Sequence, residues 1–106
     1  MPEEASLKKP LVIIGDEDGV SGFKALGFKV YATREPQELR AALDEAVAEG
    51  AAVCLVQDNI YQALEEEINN YKNLPFPVFI PFAKNGDMAL LEAAVRDIRL
   101  RATGRN

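Results

Sequence analysis

Histidine is absent from the 106 residues, and cysteine occurs once, at Cys54. The first absence removes imidazole general bases and His/Cys metal sites, and the single thiol removes Cys–His catalysis and any internal disulfide. Cys54 lies within Ala-Ala-Val-Cys-Leu-Val, the setting of a small buried hydrophobe in a strand rather than a reactive thiol. Positive charge is also in short supply. Twelve Lys and Arg against 17 Asp and Glu leave a net charge of −5 and a pI near 4.7, which argues against a nucleic-acid partner, whose affinity comes from clustered cations. Apolar runs such as 11–14 and 51–56 fall far short of the roughly 20 residues that span a bilayer, so no membrane insertion is expected. The opening MPEEASLKK puts acids ahead of its lysines and lacks the shape of a signal peptide, so a cytoplasmic protein is expected.

What remains is an ordinary globular composition, 48% hydrophobic and 27% charged, on a chain with room for one core. A single α/β domain is expected over 10–101, with loose ends at 1–9 and 102–106. Leu-Val-Ile-Ile at 11–14 is a continuous β-branched run of the kind buried on both faces of a parallel sheet, and Gly15 ends it. A helix over 18–26 should follow, capped by Asp16 or Asp18, with Val20 and Phe23 inward and Gly27 as its stop. Residues 28–32 read as a second strand. Pro36 then opens a helix to Glu49, with Leu39, Leu43 and Val47 as its core stripe and Gly50 as terminator. Residues 52–56 form a third strand. Asp58 is placed as N-cap of a helix burying Ile60, Leu64, Ile68 and Tyr71, with Glu65, Glu66 and Glu67 wet.

Prolines 75 and 77 lead into a fourth strand at 78–80, and Pro81 puts it at or near a sheet edge. A last helix is expected over 87–101, striped by Leu91, Val95 and Ile98. The order βαβαβαβα, with helical crossovers, implies four parallel strands in a small three-layer open sheet.

The turn Gly15-Asp16-Glu17-Asp18-Gly19-Val20-Ser21-Gly22 stands where open α/β sheets place a ligand crevice. Its acids repel phosphate and fit neither the P-loop nor the GxGxxG pattern. A divalent cation between these acids and Asp58 is the sharper chemical reading, in the layout of a phospho-acceptor receiver domain. Receivers carry a fifth strand ending in lysine, whereas here Lys84 is the one candidate and is misplaced. Structural roles for the acids are the plainer reading, so no metal or cofactor is expected. Ser21 has no base to activate it, and no catalytic apparatus is visible.

The stretch Ile14-Gly15-Asp16-Glu17-Asp18-Gly19-Val20-Ser21-Gly22-Phe23, closing at Gly27, resembles the N-terminal signature of the F subunit of the V-type/A-type rotary ATPases, I-G-D-E-D-T-V-x-G-F-x-x-x-G. Gly19 stands where that family commonly has threonine. The polar turn 57–59, the proline-flanked fourth strand and the terminal helix are similar in outline. The resemblance implies a non-catalytic central-stalk subunit, peripheral to a membrane-bound complex. It would bind the coiled-coil D subunit of the stalk and help couple ATP hydrolysis or synthesis to ion transport. The isolated chain is expected to be monomeric.

In the resembled family the last helix contacts the partner's coiled coil. Here Leu90 and Ala94 widen the apolar surface of that helix, and Arg96, Arg99 and Arg101 give it a basic end. Phe76, Phe79 and Phe82 supply more aromatic surface than one strand needs, and make the fourth strand a second partner-facing candidate.

Overall fold

The computed structural model describes residues 9–83 together with Ala93, Arg96 and Asp97. Its elements run β1 (Leu11–Gly15), α1 (Glu17–Val20) leading into a 3-10 helix (Ser21–Leu26), β2 (Lys29–Ala32), α2 (Pro36–Ala48), β3 (Val53–Gln57), α3 (Asp58–Ala63), α4 (Glu65–Asn69) and β4 (Val78–Phe82). The four strands form one all-parallel sheet in the order β2-β1-β3-β4, a small α/β architecture as expected.

All five residues of β1 and all five of β3 are buried, because helices cover the sheet on both faces. The period of two divides them cleanly. Val12, Ile14, Cys54 and Val56 face α2, α3 and α4; Leu11, Ile13, Val53 and Leu55 face Val20, Phe23 and Phe28. β4 is an edge strand that contains Pro81, in keeping with the missing ladder donor of proline.

Several expectations needed correction. The first helix is one α-turn followed by a 3-10 helix, since Gly19 and Gly22 weaken an α-helix. Val20 and Phe23 are buried regardless. The third helix is kinked at Leu64 (φ −105°, ψ 17°) into α3 and α4, yet the bonds Leu64 N to Ile60 O and Ile68 N to Leu64 O, both 2.9 Å, continue through the kink. Ile60, Leu64 and Ile68 therefore stay on one buried stripe, while Tyr71 is half-buried beside them. In α2 the stripe is Leu39, Ala42, Leu43 and Ala46, with Val47 only half-buried, as a 3.6-residue period drifts off a strict spacing of four. Gly27 and Gly50, expected as stops, take positive φ of 91° and 71°.

The expected loose ends, apart from Lys9, and the last helix with Leu90, Leu91, Ala94, Val95, Ile98, Arg99 and Arg101, lie outside the described residues. Ala93, Arg96 and Asp97, from within that stretch, are helical and exposed.

Candidate functional site

From β1 the chain moves outward to β2 on one side, then crosses to β3 and β4 on the other. The carboxyl ends of β1 and β3 therefore meet at a topological switch point, where open α/β sheets leave a crevice. The acidic turn follows β1, residues 33–35 follow β2, and residues 57–59 close the third side.

One buried amide organises this corner. Gln57, 4% exposed, is the single polar or charged residue buried among the described ones. Its Oε1 accepts the Asp16 backbone N–H at 3.0 Å, and its Nε2 donates to Asp16 Oδ2 at 3.1 Å and to Asn59 Oδ1 at 2.9 Å. Gln57 approaches so closely that a Cβ on Gly15 would lie 2.9 Å from its Oε1 and 2.9 Å from Val20 Cγ1, so any larger residue at 15 forces these side chains to shift. From the other side Arg34 Nε donates to Asp16 Oδ1 at 2.9 Å. The Asp16 carbonyl accepts the Gly19 and Val20 amides at 2.9 and 3.1 Å.

Asp16 is thus the N-cap residue of α1 by position, but its side chain makes no capping bond, contrary to expectation; the carboxylate is engaged by Gln57 and Arg34. Asp58 is likewise not the N-cap of α3, a place held by Gln57. It is exposed, and its Oδ1 accepts the Asn59 amide at 2.7 Å. A receiver-type cation site needs the acid at the end of β3 to face the acids after β1, and a neutral amide occupies that place. Among the described residues no three His, Cys, Asp or Glu side chains converge as metal ligands. Cys54 is buried in β3, and burial pushes its thiol up to about 12, far from the reactive range.

Beside the Gln57 corner lies an open hollow of about 660 Å³ between α2 and α3. Its lining comprises the buried Leu39, Ile60 and Leu64, the exposed Arg34, Pro36, Arg40, Asn59 and Ala63, and the half-buried Asp16. Nothing in the sequence pattern singled out Gln57 or this hollow. The one available signal was a polar residue continuing the apolar run of the third strand.

The aromatic residues separate. Phe82 is a core residue, 7% exposed, with its ring 6.2 Å from that of Phe23, which in turn meets Phe28 edge-on at 5.2 Å. Its parity along β4 turns it onto the Phe23 face. Phe79 points to the opposite face and packs half-buried on the aliphatic cluster. Phe76 is half-buried, with Lys9 Nζ 5.4 Å from its ring centroid.

A four-stranded parallel sheet whose switch-point Asp16 is tied up by amide and guanidinium defines a small α/β module, with no buried side-chain polar atom left unsatisfied among the described residues. The sequence family described as ATP synthase (F/14-kDa) subunit matches residues 11–97, and the chain belongs to that family. It is similar to the V-type ATP synthase F subunit of Clostridium perfringens (strain 13 / Type A), 32% identical over 100 residues, covering 92% of this chain and 94% of that one. The F subunit of Clostridium botulinum (strain Eklund 17B / Type B) is 30% identical over 100 residues, covering 92% and 96%. That of Fusobacterium nucleatum subsp. nucleatum is 32% identical over 76 residues, covering 70% and 72%. No helix among the described residues is long and apolar enough to cross a membrane.

Proposed function

We propose that this chain is a non-catalytic central-stalk subunit of a V-type rotary ATPase, which binds the coiled-coil D subunit and helps couple ATP turnover to ion transport. The family match over 11–97 carries this reading. The switch-point geometry supports it: Asp16, the half-buried acid of the turn, is engaged by Gln57 and Arg34. The one thiol is buried and held protonated. In this reading 10–101 is a single domain, cytoplasmic and peripheral to the membrane. Its last helix docks sideways on the coiled coil through Leu90 and Ala94, with Arg96, Arg99 and Arg101 setting orientation more than affinity. Phe76, just before β4, and Phe79 on it, both half-buried, are a second partner-facing candidate.

Co-expression with the coiled-coil subunit tests the proposal. A stable one-to-one complex in sedimentation is expected. Leu90→Asp should weaken assembly by at least about tenfold while leaving the thermal transition of the free chain nearly unchanged. Failure of the wild-type chain to form any complex would refute the stalk assignment.

A further inference from the structure

The two edges of the sheet are protected unequally. Strand order leaves the outer sides of β2 and β4 without a neighbouring strand among the described residues. β2 is four residues long and opens on the exposed, charged Lys29, two features that discourage pairing with another chain. β4 has neither. It is five residues long, Val-Phe-Ile-Pro-Phe, and from Leu74 to Ala83 the sequence carries no charged residue. An uncharged run of high β-propensity on a sheet edge is the kind of segment that pairs with a copy of itself.

The register shows which backbone groups of β4 are open. The Val78 N–H donates to the Ala52 carbonyl at 2.9 Å, and Val78, Ile80 and Phe82 stand opposite Val53, Leu55 and Gln57. Backbone groups alternate in direction along a strand, so Val78, Ile80 and Phe82 turn theirs to β3, and Phe79 and Pro81 turn theirs to the open side. Proline has no N–H, so that side offers one donor, at Phe79, and a ring carbon of Pro81 stands where the second N–H would be. Two copies of β4 laid antiparallel about Ile80 would set Phe79 of each against residue 81 of the other. Each such pair exchanges two bonds when both residues carry an N–H. With proline each pair keeps one bond, and the ring carbon is pushed into the gap. Pro81 is exposed, so its ring does not fill the core.

We propose that Pro81 is a guard on the β4 edge, whose role is to stop a second copy of this chain from pairing there. The edge beside the half-buried Phe76 and Phe79 is thereby kept free of self-association. This role does not depend on the stalk assignment, and its test uses the free full-length chain.

Sedimentation over a concentration series compares wild type with Pro81→Ala, which restores the donor while removing apolar surface. The variant should self-associate at least about tenfold more tightly than wild type and keep its thermal transition at low concentration. Amide exchange at residues 79 and 81 should slow as its concentration rises. Pro81→Thr, which restores the same donor on a β-branched residue, should associate likewise, and it decides alone should Pro81→Ala lose its thermal transition. Three results overturn the guard. One is that neither folded variant associates more than wild type. Another is association that leaves exchange at residues 79 and 81 unchanged, since the contact then lies elsewhere. The third is a wild-type dimer that protects the Phe79 amide, since the proline then blocks nothing.

Discussion

On one face of the sheet, α2, α3 and α4 lay Leu39, Leu43, Ile60 and Ile68 over Val12, Ile14, Cys54 and Val56; on the other, a single α-turn and a 3-10 helix bring Val20 and Phe23, with Phe28 beyond, over Leu11, Ile13, Val53 and Leu55. The buried residues of the first face are aliphatic apart from Cys54, with Tyr31, Tyr61, Tyr71 and Phe79 half-buried against them, and polar ties lace its margins into or across its helices. The Tyr31 hydroxyl donates to Glu45, Tyr71 to Asp44 at 2.7 Å, Lys29 to Glu49 at 2.8 Å and Arg40 to Glu67 at 2.9 Å. The second face buries its rings instead, Phe23 packing against Phe28 and Phe82. On β4 it leaves Val78 and Ile80 half-buried. A short helix has few side chains to offer, so large aromatic ones do the covering; a 13-residue helix achieves the same with Leu and Ala.

The sharpest way to break this contrast is to truncate an aliphatic side chain on each side. Leu43 is completely buried in the aliphatic cluster, and Leu43→Ala should cost about 2–5 kcal/mol in chemical denaturation, transfer and cavity terms together. Val78 is half-buried on the ring-covered face, and Val78→Ala should cost about 1 kcal/mol or less. Equal losses would mean that the two faces are closed to the same density and that the half-buried β4 residues are held as firmly as the core.

A second substitution probes the seam where the faces meet. Gly15→Ala places a methyl 2.9 Å from both Gln57 Oε1 and Val20 Cγ1, and 3.2 Å from Gln57 Cβ. Overpacking of this kind costs about 1–3 kcal/mol. If the Gln57 amide is the cause, Gly15→Ala and Gln57→Ala should be strongly non-additive, because the second removes Oε1, the nearer of the two Gln57 atoms the first meets, and leaves Cβ. Additive losses measured in a double-mutant cycle would place the strain on Val20 and the Gln57 Cβ.

The parts of this molecule that could be read in advance are those governed by one-dimensional periods. Leu11-Val12-Ile13-Ile14 is an unbroken apolar run, so β1 and its burial on both faces followed directly, and Pro36 and Gly50 bracketed α2 to within a residue or two. Ile60, Leu64 and Ile68 were legible as a stripe, whereas the kink at Leu64 leaves that stripe unchanged and so gave no signal. The switch-point corner is three-dimensional. Asp58 looked chemically richer than Gln57, but a one-residue displacement in a strand reverses the side chain's direction, and it is the amide that reaches Asp16. Arg34 and Arg40 read as surface charge because their relation to Ile60 and Ala63 exists only after α2 and α3 have packed.

The smallest expected effect concerns the polar ties of the aliphatic face, and its sign depends on pH. Arg40's hydrogen bond, followed by a backbone one, holds the Glu67 carboxyl below its ordinary range. A depressed folded value means that the tie contributes stability above the unfolded Glu value, and that this is lost as pH falls through the folded one. Tyr71 behaves oppositely: its bond to Asp44 raises the phenol above its usual value near 10, so that tie contributes below the unfolded value and fades as pH rises through the folded one. Tyr31 shifts the same way, through burial first and its bond to Glu45 second. Arg40→Ala should therefore narrow the difference in melting temperature between about pH 3 and pH 7 without touching the alkaline limb, and Tyr71→Phe should do the reverse. Because these groups are on the surface, both effects should be much smaller than that of Leu43→Ala and should shrink in high salt. Should Arg40→Ala leave the acid limb unchanged, the Arg40–Glu67 pair contributes nothing to holding α2 against α4, and the aliphatic face is closed by its core alone.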